Sequence, residues 1–120
     1  MATLTPTLTL TSTDLLSDSL SINVTDALTI TKSAEIKRVV TSTASTSIAV
    51  AASYTKAYVY LKNMSTTANE IITIEKADGG DEYLYLGAGE FAFFPWASIV
   101  DLFADAAAGT PTLEIGIFEA

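Results

Sequence analysis

The sequence predicts an all-β protein: an antiparallel β-sandwich or jelly-roll-like barrel, a single domain with an extended N-terminal segment. Three observations carry this. Apolar and polar residues alternate along much of the chain, the period of a strand with one buried face. Thr and Ser fill roughly a quarter of the positions, while Lys and Glu, the usual surface helix formers, are scarce. Gly, Pro, Asp and Asn punctuate the chain at turn spacing, which suits many short strands.

The elements follow in order. Leu4, Leu8 and Leu10 alternate with Thr5, Thr7 and Thr9. Pro6 interrupts this run, and a residue without an N–H fits an edge strand or an arm. Residues 1–18 are therefore expected to form an extended arm or edge strand, and residues 19–120 the sandwich. Leu20, Ile22, Val24, Leu28 and Ile30 continue the alternation against Ser21, Asn23, Thr25 and Thr29. LTLTSTDLL and LSINVTDAL are similar, as if strand and turn occurred twice. IKRVVTST and SIAVAAS are further strand candidates. In AYVYLKN, Tyr58 and Tyr60 take one face and Val59 and Leu61 the other. NMSTTAN reads as a loop. EIITIEK, the turn ADGGDE and EYLYLGA read as a hairpin over residues 70–86. Ile99 to Ala104 is expected as a strand, Ala104 to Ala108 as a helical turn, and TLEIGIFE as the last strand.

Composition narrows the function classes. The chain has 120 residues, enough for one modest core. Charged residues make up only 17%, and the formal net charge is −8. Such acidity disfavours phosphate backbones and anionic membrane surfaces, so neither nucleic acid nor membrane is an expected partner. There is no Cys, hence no disulfide and no thiolate metal site. There is no His, which removes the usual general base and the commonest metal ligand. MATLTPTLTL lacks the charge and the apolar run of a signal peptide. No stretch approaches the length of a membrane span.

No catalytic set, cofactor site or metal site is expected. Asp78, Gly79, Gly80, Asp81 and Glu82 offer oxygen ligands for Ca²⁺ but not at EF-hand spacing, so they read as a turn. Glu90, Asp101 and Asp105 lack any sign of the fixed separation that paired catalytic carboxylates need. Asn23 and Asn63 match a glycosylation pattern without a secretory context. Tyr58, Tyr60, Tyr83 and Tyr85 suit ordinary strand positions better than a sugar platform. Lys32, Lys37 and Arg38 gather half of the basic residues and suggest a solvated face or a contact with an acidic patch on a partner.

GEFAFFPW, residues 89–96, holds three phenylalanines and the single tryptophan. Phe91 and Phe93 share a face and are expected in the core. Pro95 is expected to end the ladder and swing Trp96 out, leaving Phe94 and Trp96 to cap an open end or meet another subunit.

Three stretches carry a resemblance: AYVYLKNMS with EIITIEK, YLGAGEFAFFPW, and DLFADAAAGTPTLEIGIFEA. Over residues 55–120 they resemble small β-sandwich virion proteins of tailed bacteriophages, most like a capsid decoration (cement) protein. The resemblance implies a non-enzymatic structural protein made in the host bacterial cytoplasm and placed on the capsid surface of the virion. There it would bridge and stabilise subunits of the major capsid protein, as a homo-trimer or homo-dimer. The residues expected at partner contacts are Leu4, Pro6, Leu8 and Leu10 of the arm, Lys37 and Arg38, and Phe94 and Trp96. The alternative is a tail, fibre or adaptor component with a carbohydrate-binding receptor role. A free carbohydrate-binding or adhesin module is a third class.

Overall fold

A computed structural model describes the chain except for residues 52–53, 77–80 and 98–99. The described residues form strands and no α-helix, and every strand pairing is antiparallel. Contacts divide the chain into two units, Met1–Thr31 and Lys32–Ala120. The division falls after Thr31, not after residue 18 as the sequence suggests, because the strands on either side of residue 18 pair with each other.

The first unit contains β1 (Ala2–Leu4), β2 (Thr7–Ser12), β3 (Leu20–Thr25) and β4 (Leu28–Ile30). β1 pairs with β4 and β2 with β3 in one continuous register, from Ala2 opposite Ile30 to Ser12 opposite Leu20. The result is a long hairpin, and the two similar nine-residue segments supply its opposing strands. The ladder breaks where Pro6 has no N–H to give; its carbonyl still accepts from the Asp26 N–H at 3.3 Å. At the loop, the Ser12 hydroxyl accepts from the Asp14 and Leu15 N–H groups and donates to the Asp14 carboxylate.

The second unit is a sandwich of two four-stranded sheets. One has the order β10-β7-β12-β5, the other β6-β11-β8-β9. Its strands are β5 (Ala34–Val40), β6 (Thr46–Ala49), β7 (Ala57–Asn63), β8 (Ile72–Lys76), β9 (Glu82–Leu86), β10 (Phe91–Trp96), β11 (Leu102–Ala106) and β12 (Thr112–Glu119). Val59, Leu61, Leu113, Ile115 and Ile117 from the first sheet meet Ile72, Ile74, Leu86, Leu102 and Ala104 from the second in one buried cluster. Alternation along β7 and β12 thus sorts side chains as the sequence predicts.

β8 and β9 form the expected hairpin, while Asp78, Gly79 and Gly80 of its turn lie outside the described residues. Residues 102–106 are strand, so the expected helical turn at 104–108 is absent; Ala104 and Ala106 instead bury against the core. Small alanines pack there because strand pairing with β8 fixes their face, which outweighs local helix propensity. Of the expected strand at 99–104, residue Ile99 lies outside the described residues, and the strand begins at Leu102.

Candidate interaction surfaces

β10 corrects the sequence reading of FAFFPW. The strand runs through Pro95 to Trp96, which stands opposite Ala57. β10 is an edge strand, so the missing Pro95 N–H breaks no ladder on its free side. Ala92, Phe94 and Trp96 point inward; Phe91 and Phe93 point out, 64% and 38% exposed. Trp96 is buried rather than swung out. With Phe94 it lines an apolar cavity of about 490 Å³, opening between the edge strands β9 and β10. Ile74, Leu84, Ala92 and Leu102 also line it. The Trp96 ring lies 5.9 Å from that of Tyr54, and its buried N–H has no hydrogen-bond partner among the described residues.

The outer face of the β10-β7-β12-β5 sheet carries what that inversion exposes. Register places Phe93, Tyr60, Gly116 and Ile36 in one row across the sheet, and Phe91, Lys62, Glu114 and Arg38 in the next. Phe93 stacks on Tyr58 with centroids 6.3 Å apart, and the Lys56 ammonium lies 5.1 Å from the Tyr58 centroid. Ile36 and Val40 are also well exposed. Arg38 donates from Nε and Nη2 to the Glu114 carboxylate at 3.2 and 3.1 Å, and the Tyr60 hydroxyl donates to its other oxygen at 3.0 Å. The Tyr60 hydrogen bond, then Arg38, hold Glu114 below the usual carboxylate range. Among the described residues the face therefore carries Arg38, Lys56 and Lys62 against one carboxylate that is already engaged.

Of the basic cluster read from sequence, Arg38 alone belongs to this face. Lys37 lies opposite Ile115 on the other side of β5 and pairs with Glu35 at 3.5 Å. Lys32 pairs with Glu119 at 3.5 Å. Lys56 and Lys62, which complete the basic face, were legible only as a period-2 set with Tyr58 and Tyr60.

The outer face of the other sheet is acidic. Glu75 stands opposite Glu82 on β9 and opposite Phe103 on β11; Asp105 stands opposite Thr73, which faces Tyr85. Among the described residues no cation pairs with Glu75, Glu82 or Asp105. Burial, then the charges of Glu75 and Glu82, push Asp105 above the usual carboxylate range. A carboxyl whose pKa rises on folding stabilises the fold only once protonated, and that contribution is lost as pH rises through the folded value. Asp105→Asn is accordingly expected to raise the melting temperature at neutral pH. The gain should shrink as pH is lowered toward the carboxylate range, in thermal scans at a series of pH values. Asp101, the other acid considered from sequence, accepts from the Ala51 N–H at 2.8 Å and serves the loop. No group of three or more metal-ligating side chains forms a metal site among the described residues.

In the first unit, Leu4, Leu8 and Leu10 share one hairpin face with Leu20, Ile22, Val24 and Leu28. The other face is a ladder of Thr, Ser and Asn, in which the Thr7 and Thr25 hydroxyls bond at 3.2 Å. Leu8, Leu10, Ile22 and Val24 are each 40–55% exposed, and Leu15 and Leu16 in the loop more so. Pro6 sits on the apolar face at the ladder break. No known protein family, curated protein or solved structure matches this chain.

Proposed function

We propose that the chain is a structural virion protein of a tailed phage, a decoration protein that binds the outer capsid surface and bridges subunits of the major capsid protein. The observation that carries this reading is the two-faced hairpin of residues 2–30. A two-stranded hairpin is marginal in water unless its apolar face is covered. Here the Leu8, Leu10, Ile22 and Val24 side chains stay substantially exposed. Leu15 and Leu16 in the loop add further exposed apolar surface, of the kind that marks an interaction site when it is contiguous. A repeating shell offers covering surface at every junction. Binding to the assembled lattice and not to its dispersed subunits would stabilise the lattice by mass action.

The resemblance over residues 55–120 supports the same reading. The experiment is co-sedimentation with shells assembled from the major capsid protein of the genome that encodes the chain. Saturable binding to shells, without binding to unassembled subunits, is expected. Equal binding to both, or to neither, would contradict the proposal.

A further inference from the structure

We propose that the basic aromatic face of the β10-β7-β12-β5 sheet docks onto the acidic outer face of the β6-β11-β8-β9 sheet of a second copy. The contact is heterologous: two different patches meet, so each copy can use both at once. It does not depend on the virion reading and holds for the free protein in solution.

The argument is charge complementarity between two faces of one sandwich. The chain is strongly acidic, with only six basic residues, yet three of these, Arg38, Lys56 and Lys62, stand on one face. Among the described residues Glu114 is the one carboxylate with them, and Arg38 and Tyr60 already occupy it. Lys62 makes no ion pair among the described residues. The opposite face has the inverse imbalance. Glu82 stands directly across from Glu75, a like-charge pair that costs stability in a sheet. Glu75 is buried and bonded to Ser45, which leaves Glu82 and Asp105 as the accessible acids. A neighbour's lysines placed over Glu82 and Asp105 would relieve that repulsion, and the neighbour's own excess positive charge would be matched.

The apolar parts fit the same pairing. Phe91, 64% exposed, and Phe93 project from the basic face, and Tyr85, 65% exposed, from the acidic one. Exposed aromatic side chains beside Arg have the composition of interface centres rather than of ordinary surface. An isologous contact of either face with itself would instead set like charges together, which disfavours it.

The test uses the full chain in sedimentation velocity. Wild-type protein is expected to associate at low ionic strength in a concentration-dependent way and to dissociate at high salt. Lys56→Glu with Lys62→Glu should abolish association. Glu82→Lys with Asp105→Lys should do the same, with circular dichroism showing that both variants remain folded. Mixed in equal amounts, the two variants should associate again, because the native face left on each is complementary to the other's and the two reversed faces carry opposite charge. Combining all four substitutions in one chain should restore association. A wild type that stays monomeric at low salt would overturn the proposal. So would a variant that still associates with one face reversed, or a mixture that stays monomeric. Should a charge-reversed pair fail to fold, Lys56→Ala with Lys62→Ala and Glu82→Gln with Asp105→Asn replace it. Both neutral pairs should then weaken association at least tenfold, and unchanged association in either would overturn the proposal.

Discussion

Replacing Asn63 by leucine should lower the stability of the sandwich by about 3 kcal/mol or more, seen as a fall in the urea midpoint at an unchanged slope. Asn63 is fully buried at the end of β7, where alternation would place an apolar residue after Ala57, Val59 and Leu61. Its amide N–H groups donate to the carbonyls of Glu70 at 2.8 Å and Leu86 at 3.0 Å, and its side-chain oxygen accepts from the Ser65 N–H at 3.0 Å. Leu86 belongs to β9 in the opposite sheet. The Asn63 backbone is engaged as well, donating to the Glu90 carbonyl and accepting from the Gly89 N–H, both at 3.0 Å. One side chain thus ties the end of one sheet to the edge strand of the other and to the loop after β7. Leucine matches its size but leaves two carbonyls and an N–H without their partner. Buried groups left unpaired each cost about 1–3 kcal/mol, so the loss exceeds any gain in apolar burial. Asn63→Asp should restore only the Ser65 contact and rank close to leucine.

Ile115→Ala is expected to destabilise by about 3–4 kcal/mol, within the range for deleting most of a buried aliphatic side chain. Ile115 is fully buried on β12, the central strand between β5 and β7, with Leu61 opposite on β7. Strands on both sides fix the backbone, so the surroundings cannot collapse into the space left behind. Ile36→Ala on the adjoining edge strand serves as the control. Ile36 is 69% exposed, and its truncation should change the midpoint little. Equal effects at the two positions would show that the inward and outward faces of this sheet are misassigned.

The sequence was most readable where one face is polar. In the four strands of residues 2–30 every second position is Thr, Ser or Asn, so the hairpin faces follow from alternation alone, while the pairing of the two similar segments had to come from the structure. In FAFFPW every position is apolar or proline, and alternation then defines two faces without saying which is buried. Pairing decides it: opposite β7, Phe94 aligns with Val59 and Trp96 with Ala57, both inward. Such a register is a long-range property that no local window contains. Asn63 left a usable signal, a polar residue in an otherwise apolar inward set, but its role depends on carbonyls supplied by two distant segments. The acidic face was invisible for a similar reason. Glu75, Glu82 and Asp105 come from three strands and meet only through the ladder.

The central claim is that the apolar hairpin face is a surface for assembly. Its most direct test changes Leu8, Leu10, Ile22 and Val24 together to serine, leaving the Thr ladder and the whole second unit untouched. Co-sedimentation with capsid shells should fall at least tenfold, while the urea midpoint of the sandwich stays unchanged. Full retention of shell binding by this folded variant would contradict the account.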